Sequence, residues 1–141
     1  LKHTEVGFSM TCLNEPIRKV FEPYSSSVWD RLRAIRDLSH KGIKTWIFFS
    51  PVLPYFADSE EEIDRLFSLA ADAGVDYLLV DTLNLYPKVW SRMRALVSSH
   101  FPEALSAYNW YHRNKLPYQD ELRGRIAAVG TKYRLRYEFA F

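Results

Sequence analysis

The sequence predicts an α/β fold on parallel strands, either half of an eight-stranded β/α barrel or a small open sheet, and three observations carry that expectation. Short apolar runs alternate with amphipathic stretches in the order β-α-β-α-β-α, followed by extra helices and a last strand. Such alternation implies parallel strands joined by helical crossovers. The helical stretches place apolar residues three and four apart and are bounded by capping residues and glycines. The early strands are apolar on consecutive positions, as suits strands covered on both faces.

Glu5-Val6-Gly7-Phe8-Ser9-Met10-Thr11 is the first strand. Asn14 can cap a short helix with Pro16 in its first turn, where a missing N–H costs little; the helix stops near Glu22-Pro23. Ser25-Ser26-Ser27 cap a second helix through Val28, Leu32, Ile35 and Leu38, and Gly42 supplies its left-handed end. Lys44 to Phe49 is the next strand. Ser50-Pro51-Val52-Leu53-Pro54 reads as its end and a stiff loop, because proline cannot donate to a ladder. Ser59 with Glu62 makes a capping box for a helix carrying Ile63, Leu66, Phe67 and Ala70, closed by Gly74. Val75 to Val80 is the third strand. Helices follow from Pro87 to Ser99, from Pro102 through Tyr108 and from Tyr118 to Val129. Alternation of Tyr133, Leu135, Tyr137, Phe139 and Phe141 with Arg134, Arg136 and Glu138 marks the final strand.

The 141 residues suffice for one domain with one core. Lys and Arg number 19 against 17 Asp and Glu, a balance too small to demand an acidic partner. The longest apolar runs, such as Trp46-Ile47-Phe48-Phe49, are far too short to span a bilayer, and no basic-then-apolar signal opens the chain. The expectation is therefore a cytoplasmic protein. One cysteine, Cys12, excludes a disulfide framework and any cysteine cage within the chain. The chain opens almost directly in a strand, which reads as a piece of something longer.

In parallel α/β folds the ligand site lies beyond the carboxyl ends of the strands. Those ends hold Ser9, Thr11 and Cys12; Ser50 and Pro51; and Asp81, Thr82 and Asn84. Small hydroxyl and amide groups suit a ribose, an amino-acid moiety or an adenine edge. They equally cap turns and helices.

Three ordered segments resemble the spore-photoproduct-lyase-like (DNA repair photolyase-like) group of the radical S-adenosylmethionine (SAM) superfamily. Gly7-Phe8-Ser9-Met10-Thr11 resembles its fourth barrel strand with the family serine. Phe21-Glu22-Pro23, Ser25-Ser26, Arg31-Leu32, Ala34-Ile35, Leu38 and Gly42-Ile43 are similar to its Glu-Pro signature helix. Ser50-Pro51-Val52-Leu53-Pro54 resembles the end of its fifth strand. Two positions depart from the pattern. Ser27-Val28 stand where a proline usually follows the serine pair, and Tyr55 stands where a glycine usually follows the second proline.

The resemblance implies that residues 1–141 are the C-terminal part of a radical SAM barrel domain, a partial parallel β/α barrel. It implies SAM as cofactor, with Ser9, Thr11, Glu22, Ser50, Pro51, Leu53 and Asn84 as contacts. It also implies a 4Fe-4S cluster whose Cys-x3-Cys-x2-Cys ligands lie in an N-terminal half absent from this sequence. There SAM would be reductively cleaved to a 5′-deoxyadenosyl radical acting on a substrate the sequence does not name. Glu22 is equally suited to pair with Arg31. The chain alone should be inactive, should need that N-terminal half as partner, and should self-associate through exposed sheet edges. The alternative is a non-catalytic α/β binding or scaffold module.

Other features read as structural. Cys12 is a free, half-buried thiol. His3, His40, His100 and His112 share no metal-ligand spacing. Tyr108 to Lys115 interleaves aromatic and basic residues, as a nucleic-acid stacking platform does, but near-neutral charge favours packing of an amphipathic helix.

Overall fold

The structure, a computed structural model, describes residues 3–141. These form β1 (Glu5–Met10), α1 (Glu15–Phe21), α2 (Val28–His40), β2 (Lys44–Val52), α3 (Glu60–Ala73), β3 (Tyr77–Thr82), α4 (Pro87–His100), a 3-10 turn (Pro102–Ala104), α5 (Leu105–Arg113), α6 (Lys115–Gly130) and β4 (Arg136–Phe139). The helix starts follow the local chemistry. Asn14, Ser27 and Ser59 each accept a hydrogen bond from a first-turn N–H through their side chains. Gly74 ends α3 at φ 83°, a left-handed position in which a non-glycine residue is strained.

The sheet is where the expectation needs correction. The predicted half β/α barrel is replaced by a small α/β domain on a single four-stranded, all-parallel sheet ordered β1-β2-β3-β4. Among the described residues β1 pairs only with β2 and β4 only with β3, which leaves the sheet two free edges. Strand limits also differ from the sequence reading, and β3 begins and ends two residues later than Val75 to Val80, at Tyr77 and Thr82. β2 runs on through Ser50 and Pro51 to Val52, because the ladder shifts register between Phe49 and Val52 and a proline is accommodated at such an irregularity. The Ser50–Pro51 peptide there is cis. β4 keeps only four residues of the long alternating run.

The two sheet faces differ in cover. Met10, Ile47, Phe49, Leu78 and Val80 are buried under α2 and α3, and α6 packs on α3. The core there takes in Ile35, Ile63, Phe67, Leu122 and Ile126, all fully buried. The same core extends toward α4 and α5, where Phe101 at the end of α4 pairs with Phe21 of α1 and with Phe56, and Phe56 meets Tyr108 of α5. The opposite face carries Glu5, Gly7 and Ser9; Lys44, Trp46, Phe48 and Ser50; Tyr77, Leu79 and Asp81; and Arg136 and Glu138. All of these are exposed or only partly buried. All-parallel sheets are normally covered on both faces, so this face is set apart. No helix among the described residues is long and apolar enough to cross a membrane.

Candidate functional site

Alternation along each strand sends Ser9, Ser50 and Asp81 onto the open face at its carboxyl end. Phe48 and Leu79, paired in register, form the apolar floor behind them. Further back, Trp46 stacks on Tyr77 with ring centroids 5.8 Å apart and planes within 1°. Gly7 lies beside Trp46, and any side chain at that position would overlap the indole. At the far end, Arg136 sits 4.9 Å from the centre of the Tyr77 ring. The Tyr77 hydroxyl donates to Glu5 at 2.9 Å and holds that carboxyl below its ordinary range. The face therefore grades from hydroxyls and one carboxylate, through aromatic rings, to a mixed-charge rim.

The carboxyl end of β1 is fastened from behind. Arg31, on α2, is buried and donates to the Ser9 carbonyl at 2.6 Å, to Ser26 Oγ at 3.2 Å and to Glu22 Oε1 at 3.4 Å. Thr11 donates its hydroxyl to the other Glu22 oxygen at 2.8 Å. The Glu22–Arg31 pair foreseen from sequence thus forms, and it aims the backbone of Ser9. A second buried arginine, Arg18, holds the adjoining turn. It pairs with Glu15 and donates to the Glu22 carbonyl at 3.1 Å and to Ser25 Oγ at 2.8 Å. Burial opposes ionisation of Glu15, but Arg18 and the Val28 N–H keep its carboxyl below the ordinary range.

Of the residues implicated by sequence, Ser9 and Ser50 come together on the open face, and Asp81 joins them. Pro51 is half-buried beside Ser50. Thr11 and Leu53 point into the interior, at 5% and 0% exposure. Glu22 faces Thr11 and Arg31. Asn84 is exposed and accepts from the Tyr86 N–H at 2.7 Å, closing a local turn. Thr82 lies below the face, where the buried Gln119 donates to its hydroxyl at 2.7 Å. Arg18 and Gln119 were missed because a polar residue on a helix reads as solvated until its burial is known. Alternation did contain the signal for the open face, since Gly7 and Ser9 fall on the same side as Trp46 and Phe48.

Cys12 is buried, and its thiol is pushed up to about 11 by burial. It is protonated at neutral pH and is not an activated nucleophile. Among the described residues no three His, Cys, Asp or Glu side chains group as metal ligands. One buried thiol cannot hold an iron-sulfur cluster, so the residues present do not fit that group. The open strand ends do fit SAM in chemistry, offering hydroxyls, a carboxylate and an apolar floor.

Tyr55 has φ 74°, a left-handed backbone that glycine adopts freely. It is the position at which the resembled group carries glycine.

No protein-family model matches the chain. The chain is 32% identical over 109 residues to the uncharacterized protein Rv2578c of Mycobacterium tuberculosis, covering 74% of this chain and 32% of that protein. The uncharacterized protein Mb2609c of Mycobacterium bovis matches to the same extent. The uncharacterized protein MJ0683 of Methanocaldococcus jannaschii is 36% identical over 56 residues, 40% of this chain and 22% of that protein. The chain thus spans about a third of the length of the mycobacterial relatives it matches. No solved structure matches.

Proposed function

We propose that this chain supplies the SAM-facing strand ends of a radical SAM enzyme of the spore-photoproduct-lyase-like group, acting in the cytoplasm. The observation that carries the reading is the convergence of Ser9, Ser50 and Asp81 on the uncovered face at the carboxyl ends of three adjacent parallel strands. Two further observations support it. Tyr55 keeps a left-handed backbone where the resembled group has glycine. The signature glutamate, Glu22, belongs with Arg31 to the clamp that fixes the Ser9 strand end. In this reading Ser9 contacts the ribose or methionyl portion of SAM, Ser50 and Pro51 lie near the adenine, and Phe48 and Leu79 pack beneath. A bound 4Fe-4S cluster would supply the electron that initiates radical chemistry. Its ligands belong to other parts of the polypeptide, because Cys12 does not suit that role.

The test begins with the in-frame coding sequence upstream of Leu1. A Cys-x3-Cys-x2-Cys loop is expected there. The polypeptide so encoded, reconstituted anaerobically with iron and sulfide, should release 5′-deoxyadenosine from SAM on reduction. Ser9→Ala and Asp81→Ala should each weaken SAM binding. A start site directly upstream with no cysteine loop would sink the reading. The single cysteine favours, in that event, the second reading: a non-catalytic α/β binding module that uses the same open face.

A further inference from the structure

Among the described residues, α4 is the long helix that the fold holds least. Val97 is the one buried residue of its 14, whereas α2, α3 and α6 bury four, five and six. Helices in proteins owe most of their stability to a packed face, so this one is short of cover. It also stands in a region of unbalanced charge. Residues 87–115 hold Lys88, Arg92, Arg94, Arg113 and Lys115 against one acid, Glu103, while the whole chain holds 19 cations against 17 acids. Arg18, Arg31, Lys44, Arg65, Arg123, Arg125 and Lys132 are engaged in ion pairs; none of those five is, among the described residues. α4 and α5 contain no carboxylate at all.

The uncovered surface is shaped. A groove of about 350 Å³ between α4 and α5 is lined by Trp90, Arg94, Asn109, His112 and Arg113. A second groove of about 340 Å³ shares Trp90 and Arg94 and runs on past Ser91, Ala95 and Ser98. Positions 90, 94 and 98 succeed one another by one turn, so the two grooves form one furrow along the axis of α4. The small side chains of Ser91, Ala95 and Ser98 let another backbone come close. Trp90 is held in place by His112, whose ring stacks on it with centroids 4.5 Å apart.

We propose that this furrow docks an acidic amphipathic helix of a partner protein, laid along α4 with carboxylates on Arg94 and Arg113 and an apolar side chain against Trp90. A straight furrow beside one helix fits a second helix, whose ridges enter it. Guanidinium forks without partners inside the protein match carboxylates in geometry and charge. Trp and Arg are also the side chains on which interface affinity most often rests. The lining is exposed or half-buried throughout, too open to enclose a small ligand. The same face of a second copy is equally basic and would be repelled. The furrow does not involve Ser9, Ser50 or Asp81, so the proposal stands independently of the SAM reading.

The test is fluorescence anisotropy of a labelled, alanine-rich helical peptide with glutamates one turn apart beside a leucine stripe, titrated with the chain at low and high salt. The peptide should bind, and less tightly as salt rises. Arg94→Ala and Arg113→Ala should each weaken binding on the order of fivefold, and Trp90→Ala on the order of thirtyfold. Arg94→Glu with Arg113→Glu should lose this peptide and gain its lysine-for-glutamate counterpart, a reversal that misfolding cannot produce. Both arginines are exposed, so these variants keep the assay informative if Trp90→Ala disturbs the helix. No binding at low salt would overturn the proposal, and so would variants that bind as the parent does. Equal binding of the same peptide broken by a central proline would overturn the helical occupant. Tighter binding of an oligothymidylate through the same two arginines would overturn the protein partner in favour of a polynucleotide.

Discussion

Replacing Arg31 by Ala should be among the most destabilising single changes near the open face. The side chain is 7% exposed and makes three hydrogen bonds, to Ser9 O, Ser26 Oγ and Glu22 Oε1. Removing one member of a buried pair strands the other and costs ~3–5 kcal/mol. Glu22 is 21% exposed and lies 3.4 Å from the guanidinium, so water can partly repay its loss and the lower end, about 3 kcal/mol, applies. For a chain of this length each kcal/mol moves the midpoint by about 3 °C, giving a fall on the order of 9 °C. Urea and thermal unfolding followed by circular dichroism would measure it. Glu22→Gln keeps an oxygen for the Thr11 hydroxyl but removes the charge. A double-mutant cycle should therefore show coupling of at least ~1 kcal/mol. Additivity within ~0.5 kcal/mol, or a loss below ~1 kcal/mol for Arg31→Ala, would refute the idea that a buried clamp fixes the Ser9 strand end.

Two further outcomes follow from geometry and burial. Gly7→Ala puts a methyl group into the Trp46 ring, so it should cost ~1–3 kcal/mol by overpacking and should cost almost nothing when Trp46 is already Ala; equal cost in both backgrounds would show that the indole does not cover Gly7. Because burial raises the Cys12 thiol to about 11, the unfolded chain loses this proton before the folded chain does, and stability falls as pH rises from about 9 toward 11. Cys12→Ala should flatten the start of that alkaline decline, and iodoacetamide at pH 8 should label the parent only in urea; rapid labelling of the folded protein would contradict the burial.

Much of the local structure was legible because it rests on local chemistry. Asn14, Ser27 and Ser59 cap where they were expected to, and Gly42 and Gly74 take positive φ at the helix ends. The ends of β2 and β4 were not legible. Pro51 looked like a terminator, but a register shift carries the strand past it. Tyr133 and Leu135 continue the alternation of β4, yet the strand begins only at Arg136. Periodicity reports which side chains seek cover and is silent on where a neighbour offers hydrogen bonds. The same limit governs the site. Ser9 and Ser50 were found as strand-end hydroxyls, and their shared face follows from alternation. The inward turn of Thr11 and Leu53 depends on the interior they meet after the strands end. The half-barrel expectation failed for a related reason: parallel alternation specifies neighbouring strands, and closure depends on what β1 and β4 meet at their outer edges.

The order of the strands also bears on how the molecule assembles and breathes. β1 and β2 are separated by α1 and α2, and β2 and β3 by α3 alone, whereas Tyr77 must find Arg136 across α4, α5 and α6. That ladder closes the largest loop in the sheet and has only four residues to reward it. β4 should accordingly dock last in refolding and exchange its amide hydrogens first, while β2, flanked on both sides, holds protection longest. Such an order makes β1 to β3 the persistent scaffold of Ser9, Ser50 and Asp81, and leaves the Arg136 rim as the margin that opens.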